Sequence, residues 1–282
     1  MKIGVIPDCF RLPVREGIKK AAELGVEGIQ PYATRGDLDP KNLSRTGRDD
    51  VKRFVSELNL TISALVGDFG GHGFTDSKTV DWRVGRTKEV IDLAVDLGVD
   101  VVTTHIGVVP EDETAAEWKA MTQALPEVGT YAADRGVVLA TETGPEPAAL
   151  LKRLLDSIGN PGLKVNYDPA NLVMVAGDDP VAGVGILSGY IVHTHAKDGV
   201  KTEDGYRELP LGEGDVDFAE YLQALMSIGY TGFFTIERGG GSRGRHRARP
   251  GFSPRHGAES RFPGLTGTMP AGTVRITGMA WR

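Results

Sequence analysis

Residues 84–105 read VGRTKEVIDLAVDLGVDVVTTH, and the order of the periods inside this stretch decides the architecture. Val84, Thr87, Val90, Ile91, Ala94 and Leu97 recur at three- and four-residue steps, the period of one helix face, so a helix is predicted over Val84–Leu97. Gly98 follows. Glycine enters the left-handed conformation without a Cβ penalty and therefore stops the helix. Behind it, Val99–His105 is a β-branched run of strand length that ends on an ionisable residue. The same joint returns at Leu24-Gly25-Val26 and Ile228-Gly229-Tyr230, the latter after a helical pattern over Phe218–Ile228. Working outward, strand-like runs fall at Lys2–Pro7, Gly28–Tyr32, Thr61–Val66, Val99–His105, Val137–Thr143, Leu163–Tyr167, Tyr190–His195 and Gly232–Glu237. Eight strands interleaved with seven helices predict a (β/α)8 TIM barrel, in preference to an open doubly wound sheet.

A barrel of this kind needs a helix after its last strand, and none is readable after Glu237. Residues 239–282 hold eight Arg, no Lys, one acid, ten Gly and four Pro, giving +7. Such a composition cannot bury enough apolar surface to fold, so 1–238 is read as the barrel domain and 239–282 as a disordered Gly/Arg/Pro-rich tail. An out-of-frame translation of GC-rich DNA would give the same residues. Gly239 to Gly244 matches G-x-G-x-x-G, but no helix follows to offer its N-terminus to a pyrophosphate, so a dinucleotide loop is rejected. Only the short run Thr273–Thr277 has strand character.

The net charge of −6 therefore divides into −13 for residues 1–238 and +7 for the remainder. An acidic body repels a phosphate backbone, and no nucleic-acid partner is expected. The single cysteine, Cys9, has no partner for a disulfide and nothing beside it to activate a thiol. With no basic-then-apolar leader and no apolar run near the roughly 18 residues of a membrane span, a cytoplasmic protein without membrane contact is expected. Homo-oligomerisation is left open.

In barrels the active site lies at the C-terminal ends of the strands. Four consecutive strand runs end there on ionisable groups: Glu142, Asp168, His195 and Glu237. Three carboxylates in one crevice repel unless a cation compensates them, and Glu/Asp/His/Glu is a suitable set for Mn²⁺, Mg²⁺, Co²⁺ or Zn²⁺. Each alone reads as easily as a strand cap or an Arg partner; four in register do not. His105, His193, Lys197 and Arg238 are weaker candidates for binding substrate. His193, two residues before His195 on the same strand face, has a second reading as the layer beneath that orients the ligand. Lys197 and Arg238 suit a hydroxyl, carboxylate or phosphate, or else pair with an acid such as Asp198. His72 falls in a loop read as solvated. Trp82 and Trp118 are expected to pack helices on the barrel wall, and the loop Lys201–Leu209 to carry specificity.

Six segments together carry a family resemblance: Thr104-His105-Ile-Gly, Glu142-Thr-Gly-Pro-Glu146, Asn166-Tyr-Asp168-Pro-Ala-Asn171-Leu, His193-Thr-His195-Ala-Lys197-Asp198, Leu211-Gly-Glu-Gly-Asp-Val-Asp-Phe218 and Thr235-Ile-Glu237-Arg238. Residues 1–238 resemble the sugar phosphate isomerase/epimerase family of xylose isomerase-like TIM barrels. The resemblance implies metal ligands at Glu142, Asp168, His195 and Glu237. It also implies a Glu142/Glu237 acid–base pair acting on a ketose, sugar phosphate or cyclitol through a metal-stabilised enediolate. Proton return to the same carbon is epimerisation, return to its neighbour isomerisation, and loss of a β-hydroxyl an inosose-type dehydration. An apurinic endonuclease on the same barrel would need more histidine ligands than His72, His105, His193 and His195 supply. A remnant without activity is the remaining alternative, because family members continue after this Glu-Arg into a final helix.

Overall fold

The structure is a computed structural model that describes residues 1–239; the expectations placed on 240–282 lie outside the described residues. Eleven strands follow in chain order: β1 (Lys2–Val5), β2 (Gly28–Ile29), β3 (Thr61–Ile62), β4 (Leu65–Val66), β5 (Val101–Thr104), β6 (Val138–Glu142), β7 (Leu163–Tyr167), β8 (Ile191–Ala196), β9 (Asp198–Thr202), β10 (Gly205–Leu209) and β11 (Phe233–Ile236). Nine of them make one parallel sheet in the order β3-β2-β1-β11-β8-β7-β6-β5-β4. The ends of that order, β3 and β4, are two pieces of one run, 61–66. Its first half pairs with β2 and its second with β5, so the sheet closes on itself with eight strand positions. The closing seam is regular, from Lys2 opposite Phe233 to Val5 opposite Ile236.

The connecting helices are α1 (Val14–Glu23), α2 (Arg45–Glu57), α3 (Val80–Leu97), α4 (Ala116–Ala133), α5 (Ala148–Ile158), the short α6 (Pro169–Asn171) with α7 (Pro180–Ile186), and α8 (Phe218–Ser227). Helix α3 starts one turn earlier than its apolar period suggested and ends as read, on Gly98 at φ 72°. Alternation along each strand sorts side chains into two sets. On β11, Phe234 faces outward onto the rings of Phe218 and Tyr221, while Thr235 faces into the barrel and meets His193. Inside, the small cluster Ala64, Val101 and Ala140 fills the lower layer. Gln30, Ser63, Thr103, Asn166, His193 and Thr235, all buried, form a polar layer above it.

Ile3 and Ile236, on the outer wall at the seam, are half-buried. The expectation for Trp82 is corrected. Trp118 is buried as expected, but Trp82 is 53% exposed, with its ring set edge-on to Phe69 at 5.3 Å. At the start of α3 it falls on the solvent side of the stripe that later carries Val84 and Val90. The 201–209 segment is also corrected from loop to hairpin: β9 and β10 pair antiparallel, with Tyr206 opposite Lys201.

Candidate metal centre

Local folding rules place each of the four end-of-strand groups. Glu142 is the last residue of β6, on the inward-facing side two places above Ala140. Asp168 closes β7 and caps the next turn: its Oδ1 accepts from the N–H groups of Ala170 and Asn171 at 2.8 and 3.2 Å, with Pro169 at the first helical position. That cap commits one carboxylate oxygen and leaves the other, Oδ2, buried without a hydrogen bond. His195 lies on β8, and Glu237 follows β11 with its N–H still bonded to Ala196 O at 3.1 Å. One ligand atom from each of Glu142, Asp168, His195 and Glu237 falls within 4.8 Å of the others. His195 Nδ1 is 3.0 Å from Glu237 Oε2, 3.6 Å from Glu142 Oε1 and 3.8 Å from Asp168 Oδ2. A fully buried carboxylate oxygen that makes no hydrogen bond, grouped with two further acids and a histidine, fits a divalent cation.

Charge around the cluster is balanced by protein cations. Lys197 Nζ lies 3.3 Å from both Asp168 Oδ2 and Glu237 Oε2. Burial alone would lower its pKa, but Glu237 and Asp168 outweigh that and hold the ammonium charged. His195 follows the same pattern: burial disfavours its proton, while Glu142 and Glu237 raise its pKa well above the usual value. Burial would raise Glu237 and Asp168, yet Lys197 and His195 keep both below the ordinary carboxylate range. At the rim, His105 is pushed up to about 9, chiefly by Glu142. Its Nε2 is 3.6 Å from Glu142 Oε1, and its Nδ1 is 3.3 Å from Asp68 Oδ2. With a side chain 46% exposed, His105 is open to the crevice.

The four weaker candidates separate. Lys197 stands in the cluster and does not pair with Asp198. The Asp198 carboxylate is filled by backbone N–H groups of Gly199, Gly212, Gly214 and Val216 at 2.8–3.2 Å. A Cβ on Gly214 would come within 2.1 Å of Asp198 Oδ1, so this cage requires glycine there. His193, expected at the substrate or in the layer beneath His195, lies in the polar layer beneath it. It is buried, its Nδ1 bonds Asn166 Oδ1 at 2.8 Å, and its Nε2 lies 3.2 Å from Thr235 Oγ1. Both ring nitrogens are occupied, and burial drives its pKa well below the usual value, so it orients Asn166 beneath the cluster. Arg238 gives its N–H to Cys9 Sγ at 3.3 Å, and its guanidinium acts on Glu208 of the hairpin. Burial pushes the Cys9 thiol up to about 11, which removes thiolate chemistry.

Three residues the sequence reading left without a role belong to this site. Asn171 donates to Glu142 Oε1 at 2.9 Å, Asp68 holds His105, and Gln30 Oε1 lies 3.0 Å from His195 Nε2. Asp68 follows the run Thr61–Val66, so the end-of-strand rule finds it once applied to the third strand; Gln30, uncharged and inside the run Gly28–Tyr32, gives no such signal. Glu146, 4% exposed, is raised to about 7 by burial, against the pull of backbone N–H groups at Val109 and Gly144. A carboxyl whose folded pKa exceeds its unfolded value loses stability as pH rises between the two. Glu146→Gln is therefore expected to be more stable than the parent at pH 8 by on the order of 3 kcal/mol. That advantage should fade below about pH 5; melting curves at both pH values check it.

The family model described as xylose isomerase-like TIM barrel matches residues 18–256. Among curated proteins, an uncharacterised protein of Methanocaldococcus jannaschii is 28% identical over 170 residues, 53% of this chain and 54% of that one. An inosose dehydratase of Geobacillus thermodenitrificans is 25% identical over 143 residues, 44% and 48% of the two chains. The chain thus spans about half the length of these two relatives. A provisionally named L-ribulose-5-phosphate 3-epimerase of Haemophilus influenzae aligns more fully, 23% identical over 84% of this chain and 88% of its own. Of solved structures, a xylose isomerase domain protein from Planctomyces limnophilus superposes with TM-score 0.73 at 27% identity, covering 78% of this chain and 85% of that one. A xylose isomerase-like TIM barrel protein from Mycobacterium smegmatis, solved in complex with magnesium, shares the fold at TM-score 0.64 and 20% identity, covering 79% and 80%.

Proposed function

Since the chain belongs to the xylose isomerase-like TIM barrel family, we propose that it is a divalent-metal-dependent isomerase or epimerase of a ketose, sugar phosphate or cyclitol. The observation that carries this reading is the convergence of Glu142, Asp168, His195 and Glu237 within 4.8 Å, with Asp168 Oδ2 buried and without a hydrogen bond. Those four residues would hold the cation. Once bound, it supplies Lewis-acid polarisation of a carbonyl and its neighbouring hydroxyl.

The chain's own groups do the rest. Glu142 and Glu237 stand on strands three apart in the ring, β6 and β11, and so reach a substrate from two sides. One takes the proton from the carbon beside the carbonyl, leaving an enediolate, and the other returns a proton. Lys197 keeps Glu237 deprotonated, the form that accepts a proton. His105, open to the crevice beside Glu142, donates to a substrate oxygen, and Asn171 fixes the orientation of Glu142. A leaving β-hydroxyl would turn the same residues to dehydration. An endonuclease with three metals fits less well, because one metal-ligand cluster is found among the described residues.

The test is metal content and melting of the purified protein beside a Glu142→Gln/Glu237→Gln double variant. It is followed by proton exchange from D₂O into ketoses and inososes, with product analysis to separate epimerisation from loss of water. Stoichiometric metal in the parent and none in the variant supports the reading. No metal, and no melting shift on adding Mn²⁺, overturns it. A proton-linked signature accompanies binding. His195 carries a proton in the free site and must surrender one at Nδ1 to act as ligand, so Mn²⁺ uptake should release about one proton and tighten as pH rises. Calorimetry in two buffers of different ionisation enthalpy measures that count.

A further inference from the structure

The middle layer of the barrel contains a hydrogen-bond chain whose direction is fixed at one end by the backbone. It runs from Leu65 O through Thr103 and Gln30 to His195. A carbonyl oxygen can only accept, so the Thr103 hydroxyl donates to Leu65 O, 3.4 Å away. The lone pairs of Thr103 Oγ1 then receive Gln30 Nε2–H at 2.9 Å. With its amide nitrogen committed there, Gln30 turns Oε1 toward His195 Nε2 at 3.0 Å. That oxygen in turn can only accept, so Nε2 carries its proton whatever the charge of the ring. The lone pair His195 can offer is therefore on Nδ1, the nitrogen that faces Glu237, Glu142 and Asp168.

A second amide approaches the same ring nitrogen, since Asn166 Nδ2 is 3.2 Å from His195 Nε2. It has only protons to offer. Because Asn166 Oδ1 is taken by His193 Nδ1, the acceptor left for those protons is Glu142 Oε2, 3.5 Å away, and none of them can bond a protonated Nε2. Of the two amides, Gln30 is the one that can accept. Gln30 is 0% exposed and Thr103 1%, so water does not compete for either.

We infer that Gln30, held in one amide orientation by Thr103, is a positioning residue that commits His195 to the Nε2–H form and presents Nδ1 to the acidic cluster. The consequence for metal binding rests on the reading above; the hydrogen bond itself does not. If the amide were reversed, Nε2 would be the acceptor and the neutral ring would carry its proton on Nδ1, facing the carboxylates and unable to ligate.

The experiment uses Gln30→Leu and Thr103→Val in the full chain. Thr103→Val adds no charge, and the hydroxyl it removes bonds Gln30 and Leu65 O rather than His195 or the acids, so it isolates orientation from chemistry and stands in should Gln30→Leu fail to fold. Long-range ¹H–¹⁵N spectra of the metal-free parent should show a slowly exchanging imidazole proton on His195 Nε2. It should be lost in Gln30→Leu and exchange faster in Thr103→Val. In the Zn²⁺-loaded parent the His195 proton should remain on Nε2. Titrated with Mn²⁺, Gln30→Leu should bind about 10- to 100-fold more weakly than the parent, with Thr103→Val between them. A proton on Nδ1 in the Zn²⁺-loaded parent, a protected Nε2–H that survives in Gln30→Leu, or Mn²⁺ affinities of both variants within about twofold of the parent would each overturn the inference. If the parent binds no metal, the metal reading falls, and the Nε2–H signal still decides the role of Gln30.

Discussion

Glu237→Gln, assayed with saturating Mn²⁺, is expected to lower substrate proton exchange by about 10³- to 10⁴-fold, the upper range for removing a positioned acid–base group. The side chain keeps its size, so the barrel end should be little disturbed. What changes is the atom at the centre. In the metal-free site Glu237 Oε2 accepts from His195 Nδ1 at 3.0 Å and from Lys197 Nζ at 3.3 Å. An amide in its place either turns an NH₂ onto two cations or offers a neutral oxygen that cannot take a proton at any working pH. Exchange of the proton beside the carbonyl, followed in D₂O by NMR, reads the proton step separately from product release. A loss under about tenfold would remove Glu237 from that step and leave it as a ligand alone.

Lys197→Met is expected to destabilise the metal-free protein by about 3–5 kcal/mol, the usual cost of removing one partner from a buried ion cluster. For a domain of this size that is a fall in Tm of roughly 6–20 °C. In the metal-free protein the Lys197 ammonium and the His195 imidazolium hold apart carboxylates that would otherwise repel without relief. The sign of the metal effect follows. Mn²⁺ brings its own charge to Asp168 and Glu237, so saturating Mn²⁺ should raise the Tm of Lys197→Met by more than it raises that of the parent. Differential scanning calorimetry with and without Mn²⁺ measures both shifts. Equal melting of parent and variant without metal would show that Lys197 is not the compensating charge.

The parts of this site that were legible before folding share a local cause. Glu142, Asp168, His195 and Glu237 each terminate an apolar run, and a run's end is visible in the chain itself. Asp168 followed by Pro169 announces a capped turn, and the cap by itself frees one carboxylate oxygen. The residues misassigned or passed over have partners far away in the chain. For Lys197 the sequence leaves open a substrate contact or a pair with its neighbour Asp198, and Asp198 is consumed by four backbone N–H groups contributed by residues 199–216. His193 shares the strand face of His195, and only the tertiary structure shows the buried layer that it occupies. Trp82 looked like a packing residue by type; its exposure depends on where α3 meets the wall.

By itself the sequence determined the barrel, because helix period, glycine stops and β-branched runs are short-range properties that survive without tertiary contacts. It also determined which four groups crowd one end, since strand termini in a closed parallel sheet share an edge. Only the tertiary structure decided how those groups are charged, oriented and supported. His195 takes its direction from Gln30, 165 positions away, and Gln30 takes its own from Thr103, 73 positions away. Hydrogen-bond direction passes along such chains from a backbone carbonyl that can only accept, and no local pattern in the sequence carries that information.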